Sequence, residues 1–122
     1  MSEGIVIIPT YNEIENIEII VKAVFALDTA FDVLVVDDNS PDGTAQRVRE
    51  LQEQFDGRLF LEVRPGKAGL GTAYVYGFKW AINHRYEYIF EMDADFSHDP
   101  QEIPNFLREI KQYDLVLGSR YV

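Results

Sequence analysis

The 122-residue chain contains no cysteine, which removes disulfides and thiolate metal sites together. Basic residues are scarce: 11 Lys and Arg stand against 21 Asp and Glu, a formal charge of 11 − 21 = −10. That balance argues against non-specific nucleic-acid binding, which rests on neutralising phosphates with Lys and Arg. An anion bound here therefore needs local help. No apolar run approaches the roughly 18 residues needed to cross a bilayer, and the N-terminus lacks the basic and apolar stretches of a signal peptide. The expectation is a soluble, cytoplasmic chain. Its length sets one domain, residues 1–122, as the ceiling. A chain of this size buries about two-thirds of its unfolded surface, enough for one core.

What is present is an alternation of two periods. Gly4-Ile5-Val6-Ile7-Ile8-Pro9-Thr10 is apolar at consecutive positions, the pattern of a parallel strand covered on both faces. From Ile14 the period becomes helical, with Ile14, Ile17, Ile20, Val21, Val24 and Phe25 on one side and Glu15, Glu18 and Lys22 on the other. Asn12 with Glu15 three residues later is a candidate cap for its start. The cycle repeats through a strand at 31–36 and a helix whose buried stripe is Ala45, Val48, Leu51 and Phe55, joined by the turn Ser40-Pro41-Asp42-Gly43. A third strand at 59–63 precedes a helix from Thr72 to about His84, and a fourth strand spans Tyr88 to Met92. A fourth helix carries Ile103, Phe106, Leu107 and Ile110, with Asp99 as its cap, and Asp114 to Gly118 reads as a fifth strand. Tyr and Phe residues within the helices are read as core. Five strand-helix alternations predict an α/β, largely parallel sheet with helices on both faces.

In such a sheet, ligands bind beyond the carboxyl ends of the strands. There Met92-Asp93-Ala94-Asp95 sets two carboxylates about one small residue. In extended geometry they share a face about 6–7 Å apart. Their repulsion, about 2–3 kcal/mol at an effective dielectric near 20, would be relieved by a cation. Mg2+ or Mn2+, ligated by Asp93 and Asp95, suits hard oxygen donors better than zinc. The alternative is that Asp95 or Asp99 caps the following helix. Ser97 and His98 could join as ligands, His98 alone being a solvated loop residue. Asp37 and Asp38 follow the second strand and point to opposite sides, so one faces the cleft; Asp38 is the better candidate, Asp37 serving the turn. Gly66, Gly69 and Gly71 bracket Lys67 ahead of a helix, where backbone amides favour phosphate, or where glycines simply serve a tight turn. Arg120, past the fifth strand, offers a planar fork to a phosphate or an ion pair to one of the many acids. Glu13 is similarly open between a ligand contact and the cap of the first helix.

Together the segments Ile8-Pro9-Thr10-Tyr11-Asn12-Glu13, Val35 to Thr44, Lys67 to Tyr74, Met92 to His98 and Gly118-Ser119-Arg120-Tyr121 resemble the family 2 glycosyltransferases, in the expected order over nearly the whole chain. The likeness is greatest to the dolichyl- or polyprenyl-phosphate mannose synthases. The resemblance implies a GT-A, Rossmann-like fold binding a sugar nucleotide. It places Pro9, Tyr11, Glu13 and Asp38 against the nucleotide, with Lys67 added from the glycine-rich loop. It sets Asp93 and Asp95 at the ribose or metal-diphosphate and Arg120 at an acceptor or donor phosphate, with Asp95 and Arg120 as the catalytic pair. The implied reaction moves mannose from GDP-mannose to a dolichyl or polyprenyl phosphate with inversion, using Mg2+ or Mn2+. Ser97 stands where many relatives carry a carboxamide, which leaves the third metal ligand open. Family members continue past Gly-Ser-Arg-Tyr into an acceptor-binding half, so the chain reads as a truncated donor-binding part, inactive alone and prone to self-association through exposed apolar surface.

Other classes fit less well. A phosphoacceptor receiver domain needs acids after its first strand, an Asp after its third and a Lys after its fifth, where this chain has Pro9-Thr10, Arg64-Pro65 and Gly118-Ser119-Arg120. A nucleotidyltransferase needs a Gly- and Arg-rich loop where Pro9-Thr10-Tyr11-Asn12 stands. UDP-glucose as donor, a non-lipid acceptor, and a non-catalytic nucleotide-sugar-binding module are the remaining alternatives.

Overall fold

The structure, a computed structural model, describes residues 4–26, 31–55, 57–65 and 70–92. Its elements run β1 (Gly4–Thr10), α1 (Ile17–Phe25), β2 (Phe31–Asp37), α2 (Thr44–Gln52), β3 (Leu59–Val63), α3 (Leu70–Asn83) and β4 (Tyr88–Glu91). The expected fourth helix and fifth strand lie outside the described residues.

The strands form one parallel sheet in the order β3-β2-β1-β4. Every residue of β1 and β2 is buried, as their uninterrupted apolar sequences require of central strands. Because side chains alternate, the two faces carry separate clusters. Val6, Ile8, Val33, Val35 and Phe90 meet Ile17, Val21 and Val24 of α1 and Val48 and Leu51 of α2. On the other face Ile5, Ile7, Leu34, Val36 and Ile89 meet Ala73 and Ala81 of α3. This division follows from topology: the chain steps outward from β1 to β2 to β3, then returns across the sheet to β4. A crossover of constant hand puts a returning helix on the opposite face. No helix among the described residues is long and apolar enough to cross a membrane.

Three local expectations are corrected. First, α1 begins at Ile17, not Ile14, and Asn12 does not cap it; Asn12 sits in the left-handed region at φ 58°, and Ile14 is exposed. The turn before α1 closes instead through the Glu13 carbonyl, which accepts from Asn16 N–H at 3.0 Å and Ile17 N–H at 2.9 Å. Second, α2 ends at Gln52, so Phe55 lies beyond it, where it still packs on the core and stacks with Phe25 at 4.4 Å. Third, Tyr76 is not core: it is exposed, and its hydroxyl donates to Glu62 Oε1 at 2.6 Å.

Candidate nucleotide-sugar site

The order β3-β2-β1-β4 puts the change of direction between β1 and β4, and an open α/β sheet binds ligands at the carboxyl edge of that point. Hydrogen bonds carry the pairing past each strand end: Asp38 N–H to Thr10 O at 3.1 Å, Arg64 N–H to Asp37 O at 2.7 Å, and Met92 N–H to Ile7 O at 3.0 Å. The chain thus leaves β1, β2, β3 and β4 side by side along one edge.

Along that edge, side chains from the loop after β2 hold the loop after β1. Ser40 Oγ accepts from Asn12 N–H at 2.8 Å, Thr44 Oγ1 from Glu13 N–H at 3.1 Å, and Asp42 Oδ2 from Ile14 N–H at 3.1 Å. Asp42 also accepts from Thr44 N–H at 2.9 Å and Thr44 Oγ1 at 2.5 Å through Oδ1. Burial opposes its ionisation, but the bonds from the Thr44 hydroxyl and the Ile14 and Thr44 amides prevail and hold its pKa below the usual value. The turn is closed by Gly43 at φ 94°, a conformation favouring glycine, with Ile14 Cδ1 3.3 Å from the site of a Cβ.

The two adjacent acids divide as the alternation of strand side chains requires. Buried Asp37 serves the turn: it accepts from Thr10 Oγ1 at 2.6 Å, Ser40 N–H at 2.9 Å and Ser40 Oγ at 2.6 Å. Asp38, also buried, receives the Arg64 guanidinium in a two-pronged bond, Nε to Oδ1 at 2.7 Å and Nη2 to Oδ2 at 2.9 Å. The Asp38 hydrogen bond raises the Arg64 pKa further; burial opposes it. Arg64 Nη2 also reaches Thr72 Oγ1, at 3.2 Å, in the first turn of α3.

Of the residues singled out from sequence, Pro9, Tyr11, Glu13 and Asp38 come together on adjoining strand ends: Pro9 is buried opposite Val36, and Tyr11 and Glu13 are half-buried just beyond Thr10. Lys67, Asp93, Asp95 and Arg120 lie outside the described residues. Arg64 was missed, although an Arg directly after an apolar strand in an acidic chain was the available signal. The expected turn Ser40-Pro41-Asp42-Gly43 is present, and the side chains of Ser40 and Asp42, with Thr44 after it, also accept from the loop after β1.

A family model described as "Glycosyl transferase family 2" matches residues 5–122. Among curated relatives, a polyprenol monophosphomannose synthase of Mycolicibacterium smegmatis is 46% identical over 119 residues, 97% of this chain and 45% of the relative. An undecaprenyl-phosphate mannosyltransferase of Micrococcus luteus is 43% identical over 116 residues, 95% of this chain and 47% of the relative. The chain thus spans about half the length of these relatives. Among solved structures, a mannosyltransferase from Pyrobaculum calidifontis in complex with GDP-Man and Mn2+ is similar with TM-score 0.65 and 32% identity, over 77% of this chain and 28% of that one. TarS 1-349 of S. aureus in complex with UDP-GlcNAc matches with TM-score 0.71 and 25% identity, over 92% of this chain and 32% of that one. The parallel sheet, its helices on both faces and these neighbours give a GT-A fold, and the chain belongs to glycosyltransferase family 2.

Proposed function

We propose that the protein is the donor-binding part of an inverting mannosyltransferase that moves mannose from GDP-mannose to a polyprenyl or dolichyl phosphate. The observation that carries this is the 43–46% identity, over nearly all of this chain, to two enzymes named for mannosyl transfer to polyprenyl carriers. In this reading Pro9, Tyr11, Glu13 and Asp38 hold the nucleotide, Lys67 meets its phosphates, and Arg120 orients the acceptor phosphate. The acceptor needs little activation, because a phosphate monoester with a second pKa near 6 is already a nucleophile at neutral pH. One of its oxygens bonds to the anomeric carbon as the bond to the diphosphate breaks; GDP leaves and the configuration inverts. The chain's task is alignment for that attack.

Mg2+ or Mn2+ fits the residues present. Met92 N–H donates to Ile7 O of β1 where the strand order reverses, Asp93 is the next residue in sequence, and Asp93 and Asp95 offer the hard oxygen donors such an ion prefers. When bound, the ion would neutralise charge on the departing diphosphate. Among the described residues alone there is no group of three metal-binding side chains. A lipid acceptor would bring the whole protein to the cytoplasmic face of a membrane.

Calorimetric titration with GDP-mannose, GDP and UDP-glucose, each with Mn2+ or with EDTA, tests the reading. Metal-dependent binding of the guanine ligands, lost in Asp95→Ala, is the expected result. Preference for the uracil ligand would favour a second reading, supported by the likeness to a UDP-GlcNAc-bound structure. In that case the protein belongs to a transferase using another nucleotide sugar. Binding that persists undiminished in EDTA would remove the metal from the proposal.

A further inference from the structure

We infer that Arg64 is a positioning residue of the donor site, one that locks the Asp38 carboxylate and fastens it to the start of α3. The inference rests on the donor-site reading above. Three observations carry it. The Arg64 backbone is fixed, its N–H donating to Asp37 O at 2.7 Å as a continuation of the β2–β3 ladder. Its guanidinium grips both oxygens of Asp38, at 2.7 and 2.9 Å, with both side chains largely removed from solvent. The same Nη2 reaches Thr72 Oγ1 at 3.2 Å. One side chain therefore runs from the end of β3 to the first turn of α3.

A planar fork restricts a carboxylate in a way a single ammonium does not. Bound at two oxygens, Asp38 is held in one orientation before any ligand arrives. A carboxylate facing a nucleotide discriminates by where its lone pairs point, so the lock acts on selectivity as well as on affinity. Through Thr72 the same residue couples the acid after β2 to the start of α3.

The test is the affinity of GDP and of UDP, measured with Mn2+ for the wild-type protein, Arg64→Lys, Asp38→Asn, the double variant and Thr72→Val, with thermal melting alongside. Arg64→Lys keeps the charge and loses the fork. It is expected to weaken GDP about tenfold, the equivalent of about 1.4 kcal/mol, and to bring the GDP-to-UDP ratio towards one. The double variant should be no worse than the more damaged single one, because the two residues act as a unit. Thr72→Val, an exposed change, should weaken GDP about threefold, about 0.6 kcal/mol by the same relation, and keeps the test decisive should Arg64→Lys fail to fold. An unchanged ratio, equal losses for both nucleotides, or additive single effects would overturn the inference while leaving the donor-site reading intact. A wild-type protein that binds neither nucleotide would overturn both.

Discussion

The Asp37 carboxyl accepts from Thr10, from the Ser40 amide and from the Ser40 hydroxyl, whereas its neighbour Asp38 faces Arg64. The division is readable locally, since side chains alternate along a strand and the two acids have to part. Their partners are not, because Thr10 and Arg64 lie 27 and 26 residues away in sequence. Replacing Asp37 by Ala strands a buried threonine hydroxyl and the Ser40 amide, and each such group costs about 1–3 kcal/mol when left unpaired. Asp37→Ala is therefore expected to lose about 3 kcal/mol in urea unfolding. A loss under about 1 kcal/mol would mean that water replaces the carboxyl, as at an exposed turn.

At the scale of elements, the approach of α3 to β1 is set by Gly77. A Cβ there would stand 2.6 Å from Ile7 Cγ2, and Ile7 is fully buried, so it has no room to yield. Gly77→Ala gains about 1 kcal/mol of helix propensity, yet the overpacking it causes costs about 1–3 kcal/mol or more. The variant should be neutral to destabilised, by up to about 2 kcal/mol. Gly71→Ala, in the same helix with nothing within 4 Å of the added carbon, should be stabilised by up to about 1 kcal/mol. Equal effects at the two positions, measured by denaturant titration, would contradict the packing argument. The helix expected from Thr72 to about His84 stands as α3 at Leu70–Asn83. Helical periodicity misplaced the start of α1: residues 12–14 are bound through their amides to Ser40, Thr44 and Asp42 of another loop, with Asn12 at φ 58°, a long-range docking no local pattern records.

Over the whole molecule, a net charge of −10 makes the few cations consequential. Glu18 on α1 is held by Lys22 at 2.6 Å and by Arg47 of α2, tying the two helices on one face of the sheet. Hydrogen bonds from Lys22 first, then from Arg47, bring its pKa from 4.5 to about 2. A carboxyl depressed on folding contributes stability that is present above its unfolded value and lost as pH falls through the folded one. Stability should therefore decline as pH falls from 4.5 towards 2, and Glu18→Gln should flatten that slope in acid titrations followed by circular dichroism. The Glu18 part should shrink in 1 M salt, as an exposed ion pair does. Asp42, whose pKa is lowered mainly by hydrogen bonds from its own turn and Ile14, should contribute to the same acid loss with less sensitivity to salt. By itself the sequence determined the described α/β elements, the all-buried central strands, and the segments that gather at the carboxyl edge. It could do so because period and turn residues act over a few neighbouring positions. Only the tertiary structure decided which loop supports which, that α3 lies across the sheet from α1 and α2, and that Arg64 meets Asp38, because those pairings depend on strand order, which brings distant residues to hydrogen-bond distance.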